Sequence, residues 1–241
     1  MMTLEERGPD SLIGRGPSYP WGGLYGGQIV AQSLVAAATT VDPRYRIHSL
    51  HAYFIRRGDA EEPIRFDVDR LRNGRNFVTR AVVARQSGGA IFHMSASFSS
   101  TPVDQYMQPS PFPPVESPDN VSDNSWGPTF DRRHLIDRDG RSTAWLRIPK
   151  APAGDAVVAA AALAYMSDDL ATDAVRSQQQ ASDGVTDRHW NGTSLDHAIW
   201  FYHPIVGDDW QLHDFRCEGL ATPRGLAKGQ VFAPDGTHLA T

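Results

Sequence analysis

Three short stretches carry residue types that can do chemistry. Asp168 and Asp169 follow a long apolar run, Ala156 to Met166, with only Ser167 between. An acid at the end of a buried helix suits a general base, because apolar surroundings and the like charge of a neighbour both raise a carboxyl pKa towards neutrality. The same pair can equally mark where a buried helix meets solvent. Ser194 opens the second stretch, SLDHAIWFYHP, which runs from Ser194 to Pro204. Its hydroxyl can hold a water or simply end a loop. There is no G-x-S-x-G elbow, and no histidine with a matching acid is legible to make Ser194 a nucleophile. The third stretch is Gly26-Gly27, directly before QIVAQSLVAAATT. Two glycines there let another chain or a ligand approach the free N–H groups of a helix start, where a developing oxyanion would be stabilised. A tight turn is the alternative reading.

Metal chemistry is not expected. His48 and His51 are three apart on a strand and face opposite sides. His197 and His203 are six apart, about 20 Å along a regular strand. No HExxH or Cys/His cluster occurs.

These residues need elements to position them. The segment Gln28 to Thr40 lacks Gly and Pro and puts Ile29, Val30, Leu34 and Ala37 on one stripe, which predicts a helix of about three turns. Arg46 to Arg56 reads as a strand. From Glu61 to Leu71, Ile64, Phe66 and Val68 alternate with Arg65, Asp67 and Asp69, as in a half-buried strand. Asn73-Gly74 is a hairpin turn, Phe77 to Arg85 the returning strand, and Ala90 to Phe98 the next. Seven prolines between Thr101 and Pro128 predict a linker, extending to about Arg141. Thr143 to Ile148 reads as a strand. Asp155 is placed to cap a helix from Ala156 to about Ala171, apolar nearly all round and therefore buried. Ser177 to Gly192 reads as an exposed loop. Strands follow at Ser194 to Pro204, Asp209 to Gly219 and Arg224 to Ala233, and His238 to Thr241 begins one more.

The order is helix, strand, strand, strand, turn, strand, twice over. Ser49-Leu50-His51 faces Ser194-Leu195-Asp196, and Val82-Val83-Ala84 faces Val231-Phe232-Ala233. The expected fold is α+β, a double hotdog: two long central helices, each wrapped by a curved antiparallel sheet, the sheets continuous with one another. A half-buried sheet needs such a cover. The expected units are 1–100, a linker 101–141, and 142–241. On this register Asp196 is the counterpart of His51, and both read as structural sheet residues. By the same register the last strand, five residues after Gly236 against nine from Ala90 to Phe98, stops short.

Composition excludes other classes. The 241 residues are 40% hydrophobic and 21% charged, and the net charge of −5 gives no field for nucleic acid. Cys217 is the only cysteine, so no intrachain disulfide forms. The start, MMTLEERGPD, is not a signal peptide, and the longest apolar run is too short to cross a bilayer. A cytoplasmic location is expected. No Walker A loop or G-x-G-x-x-G follows a strand.

The blocks GGQIVAQSLVAA from Gly26, IHSLHAYFIRRGD from Ile47, RNGRNFVTRAVVARQSGGAIFHMSASF from Arg72, AYMSDD from Ala164, SLDHAIWFYHP from Ser194 and RGLAKGQVFAPDGTHLA from Arg224 resemble the acyl-CoA thioesterase II (TesB-type) family of double-hotdog proteins. Where that family usually reads RPGD, this chain has Arg56-Arg57-Gly58-Asp59. The resemblance implies hydrolysis of acyl-CoA to fatty acid and CoA, without a cofactor, by a water held between an Asp, a Ser or Thr, and a Gln. It carries the Asp onto Asp168 and the Ser onto Ser194. The Gln falls a few residues past Thr241, and Gln178, Gln179 and Gln180 are not substitutes. Direct attack by water is favoured over an acyl-enzyme. Gly26 and Gly27 are candidates for the oxyanion or thioester approach. Arg56 and Arg57, with Arg72 and Arg75 as further candidates, would hold the CoA diphosphate. The implied partners are acyl-CoA and further copies of the chain, as a dimer or tetramer. A non-catalytic acyl-CoA-binding protein on the same fold is the runner-up reading. A hotdog dehydratase is weaker, because its Asp/His pair is not found.

Overall fold

Alternating burial shapes the first half of the computed structural model, which describes residues 2–101, 106–127, 129–149, 154–183, 192–206, 208–221 and 223–241. After β1 (Glu5–Gly8) and β2 (Ser11–Gly14) come α1 (Gly26–Thr39), β3 (Arg46–Phe54), β4 (Ile64–Asn73), β5 (Phe77–Gln86) and β6 (Gly89–Ser99). Ile64 and Phe66 of β4, Val82 and Ala84 of β5, and Phe92 and Met94 of β6 are all buried on one face, and α1 covers that face. The N-terminal segment, expected to be merely extended, is a hairpin whose turn holds Asp10 at φ 60, a left-handed conformation that Asp tolerates. It adds two strands to the edge at β4.

The second half repeats the plan. It holds β7 (Asp131–Arg138), β8 (Arg141–Arg147), α2 (Ala156–Met166), α3 (Ala171–Asp183), β9 (Asp196–Trp200), β10 (Gln211–Ala221), β11 (Arg224–Phe232) and β12 (His238–Ala240). Strand order is β1-β2-β4-β5-β6-β3-β9 in one sheet and β12-β11-β10-β8-β7 in the other. The second list is the first with each strand replaced by its repeat. β9 is the exception, because it pairs with its own counterpart β3, Leu50 opposite Ile199.

Four expectations change. The sheets are not one continuous ladder: they are two, meeting at an isolated bridge between Phe201 and Ala240. The expected linker contains β7 and the start of β8, whose pairing the proline-rich segment before them obscured in the sequence. That proline-rich segment is also held down. Phe112 and Val115 pack on Trp145, Leu212 and Phe232, on the outer face of the second sheet, and Trp145 Nε1 donates to Glu116 O at 2.8 Å. The second long helix is two helices, broken between Met166 and Ala171, and α3 occupies much of the segment expected to be a loop. Its buried Ala174 and Val175 lie on the second sheet. Part of the expected loop, 184–191, lies outside the described residues.

α1 and α2 pack together with little between them. A Cβ on Gly27 would sit 2.1 Å from the Tyr165 carbonyl oxygen, so only glycine permits this approach. Asp155 caps α2 as expected, accepting from Val157 N and Val158 N. α1 has no basic residue in its last turn. Arg80 of β5 supplies the charge instead, donating to Thr40 O at 2.9 Å and Thr40 Oγ1 at 2.6 Å, where the helix dipole favours a cation.

Candidate active site

The start of α1 meets the end of α2, and Asp168 lies at the junction. Its Oδ1 accepts from Ser194 Oγ at 2.8 Å and its Oδ2 from Gly27 N at 3.0 Å. The site therefore joins residues 26 and 141 positions from Asp168. The Asp168 side chain is 8% exposed. Burial, with the Asp169 charge adding to it, pushes its pKa up to about 6 against the pull of the two hydrogen bonds.

The adjacent acids part company here. Asp169 receives Arg132 Nε at 2.7 Å and Trp126 Nε1 at 2.7 Å, so its charge is spent on an ion pair that pins the chain near β7. Among the described residues no Lys or Arg pairs with Asp168, which keeps a proton affinity near neutrality. A base for work near pH 7 needs that property.

His197 is a close neighbour of Asp168 that sequence reasoning did not place there. It stands one residue into β9, with Nδ1 3.8 Å from Asp168 Oδ1. The Ser167 hydroxyl donates to Ala164 O at 3.0 Å, so its oxygen accepts from His197 Nε2 at 3.1 Å. That assignment, made from the network, puts the ring proton on Nε2 and turns a bare Nδ1 towards Asp168. Burial lowers the His197 pKa to about 4, so the ring is neutral. The Asp-His pair two residues after Ser194 was the available signal, but the acid that faces His197 is Asp168, on another element.

The glycines act differently from expectation. The Gly27 N–H is already given to Asp168. A Cβ on Gly26 would lie 2.4 Å from Asp168 Oδ2 and 3.0 Å from the Phe54 ring, so glycine at this position lets the carboxylate pack against the start of α1. Arg57 Nη2 donates to Trp21 O at 3.0 Å, which ties it to the loop leading into α1. Arg56 instead reaches Gly88 O, on the β5–β6 turn. Beside the junction is an aromatic cluster that the sequence reading passed over: Trp21 on Trp126 at 5.0 Å, Tyr25 on Tyr165 at 4.9 Å, and Tyr19 stacked on Trp21 at 5.1 Å. The Tyr25 hydroxyl is buried without a hydrogen-bond partner among the described residues. Among the described residues no group of three His, Cys, Asp or Glu side chains stands close enough to hold a metal, and no helix is long and apolar enough to cross a membrane.

A seven-strand and a five-strand antiparallel sheet packed on helices, with a buried Asp–Ser pair where α1 meets α2, are the architecture of a hotdog-fold protein. A hotdog protein from Alicyclobacillus acidocaldarius superposes at TM-score 0.85 over 99% of this chain and 92% of its own, at 19% identity, which speaks for the fold alone. Residues 16–99 match the acyl-CoA thioesterase N-terminal domain and residues 100–241 the C-terminal domain, so the chain belongs to the acyl-CoA thioesterase II (TesB-type) family. It is 32% identical to acyl-CoA thioesterase 2 of Haemophilus influenzae, over 96% of this chain and 90% of that one. The crystal structure of acyl-CoA thioesterase II TesB2 from Mycobacterium marinum aligns at TM-score 0.85 with 33% identity, over 99% of this chain and 93% of that one. These two relatives are named as thioesterases, not as binding proteins.

Proposed function

We propose that this protein hydrolyses acyl-CoA thioesters by direct attack of a water held at Asp168 and Ser194. The observation that carries the reading is the 2.8 Å Ser194–Asp168 hydrogen bond beside a carboxyl raised to about 6, in a chain of this family. Ser194 donates a hydrogen bond to Asp168, so its lone pairs are free to accept a hydrogen bond from one O–H of the water, whose proton stays on that oxygen. Asp168 takes the other proton as the water oxygen bonds to the thioester carbon. The carbonyl oxygen gains the charge. When the tetrahedral intermediate collapses, the carbon–sulfur bond breaks, and Asp168 returns its proton to the CoA sulfur. The products are a fatty acid and CoA. His197 Nδ1 faces the same oxygen of Asp168, 3.8 Å away. The water's third contact, the family's glutamine, is assigned to no residue of this chain. Arg57, by its tie to the loop before α1, is the better placed of the two expected arginines to meet CoA. Arg56 is retained as a second, outer contact, and Gly26 as the gap through which the thioester approaches.

The finer architecture belongs to the same proposal. Each half forms a six-strand unit of a double hotdog, with units near 1–100 and 131–241 and the segment 101–130 between them. The setting is the cytoplasm, with roles in fatty acid metabolism. Copies of the chain associate through the outer face of β3 and β9, where Tyr53 is 64% and Trp200 43% exposed. Light scattering that finds a monomer at working concentration removes this last point.

Asp168→Asn is the direct test. Free-thiol release from a panel of acyl-CoAs should fall by about 100-fold or more, with acyl-CoA binding retained. Turnover at the wild-type rate would take Asp168 out of the mechanism.

A further inference from the structure

A second charged site lies at the other end of α1. A cavity of about 430 Å³ is lined there by Arg44, Arg70, Arg75 and Arg80, with Thr40 and Tyr45 among the neutral groups. The four guanidinium groups are not equally spent. Arg70 is matched by Asp10, which it holds through Nε and Nη2. Arg80 is 2% exposed, and every group it donates to is neutral: Thr40 O, Thr40 Oγ1, Arg72 O, Thr79 O and Asn73 Oδ1. Among the described residues the Arg44 side chain donates only to the Tyr45 hydroxyl, at 2.9 Å, and lies over the same ring. The Arg75 side chain is exposed and has no hydrogen-bond or ion-pair partner among the described residues. One carboxylate, Asp42, lines the same cavity, and its Oδ1 accepts from the backbone N of Arg44.

Capping α1 explains Arg80 but not Arg44 or Arg75. Guanidinium groups gathered at one cavity with fewer carboxylates than cations raise the local positive potential, and an anion in that cavity offsets it. Planar arginine forks suit the oxygens of a phosphoryl group. The position is also informative. The 14 residues of α1 put this cavity about 21 Å from Gly27, well away from Asp168. α1 and α2 meet start to end at Gly27 and Tyr165, so the end of α1 is the repeat's counterpart of the end of α2. One helix end presents a carboxylate to the interior, and the other presents cations.

We propose that this cavity binds a phosphoryl anion, a phosphate or diphosphate carried on a small molecule. Two sources share that chemistry: the phosphorylated nucleotide end of CoA, which rests on the acyl-CoA reading, and a separate phosphorylated molecule, which does not. Arg44 and Arg75 are exposed, so Arg44→Ala/Arg75→Ala leaves the core intact, and circular dichroism checks that. Calorimetric titration of wild type and double variant with pyrophosphate and with adenosine 3′,5′-bisphosphate is the primary measurement. Wild type should bind at low salt, and the variant should bind at least about tenfold more weakly. Kinetics then separate the sources. A raised KM for acyl-CoA, with the KM for the matching acyl-pantetheine unchanged, identifies the nucleotide end of CoA. Lost anion binding with both KM values unchanged identifies a separate phosphorylated molecule. If wild type binds neither anion, or the variant binds both as well as wild type, the proposal is overturned. The titration decides this even if no acyl-CoA is turned over.

Discussion

Replacing Ser194 by Ala removes one of two hydrogen bonds that favour the ionised form of Asp168. A hydrogen bond to a charged group contributes about 1.5 kcal/mol or more, and 1.36 kcal/mol is one pKa unit. The carboxyl, already at about 6, should therefore rise by about one unit. At pH 7 a group at 6 is about nine-tenths ionised, and one at 7 about half. Ionisation alone then costs about twofold at pH 7 and almost nothing at pH 9. The hydroxyl also holds the water, and losing that contact costs about tenfold more at every pH. The assay is kcat/KM for thiol release from one acyl-CoA between pH 5 and 9. The variant should show its acid limb displaced to higher pH and a lowered plateau, while Ser194→Thr restores both. An unmoved limb, or one displaced to lower pH, would refute the hydrogen-bond argument. A moved limb with an unchanged plateau would keep the electrostatics and remove the water contact.

Other perturbations have opposite signs for activity and stability. Asp168 has a folded pKa above its unfolded value of 3.8, so its ionised form weighs against the fold above pH 6, by up to about 3 kcal/mol. Asp168→Asn should thus melt higher than wild type at pH 8 and lose that advantage towards pH 4, in thermal scans, while turnover is lost throughout. Gly27→Ala drives a methyl into the Tyr165 carbonyl and should lower stability by about 1–3 kcal/mol, whereas Gly26→Ala meets the Asp168 carboxylate and should depress kcat more than the melting temperature. His213 is buried on β10 with neither ring nitrogen partnered among the described residues, and burial lowers its pKa to about 3. The fold therefore loses stability as pH falls from 6.5 towards 3. His213→Leu should stabilise at pH 7 by about 1–3 kcal/mol and flatten the acid limb in urea titrations, and a destabilised variant would show that the imidazole has a partner such as water.

The strands were legible because their information is local. Ile64, Phe66 and Val68 alternate with charged residues, and Asn73-Gly74 turns the chain back. The apolar helix after Asp155 declared its burial by having no polar face. The break after Met166 was not legible, because Ser167 to Leu170 continue a helical composition, and the polar run from Ser177 to Ser182 concealed a helix whose described buried residues are Ala174, Val175 and Ser177. The β7–β8 hairpin was missed for a related reason: β7 has no fully buried residue, so no alternation announced it.

By itself the sequence determined the repeat, the order of its elements, and the block containing the acid, since each depends on periodicity or on residues near in the chain. It also placed Ser194 beside Asp168 through family resemblance, not through physics. Only the tertiary structure separated Asp168 from Asp169. Their difference lies wholly in distant partners: Arg132 and Trp126 for one, Gly27 and Ser194 for the other. The same holds for His197 facing Asp168 and for the arginines gathered at the end of α1. A pKa and a counter-ion deficit are properties of a place in space, and that place forms only when the two helices close on each other.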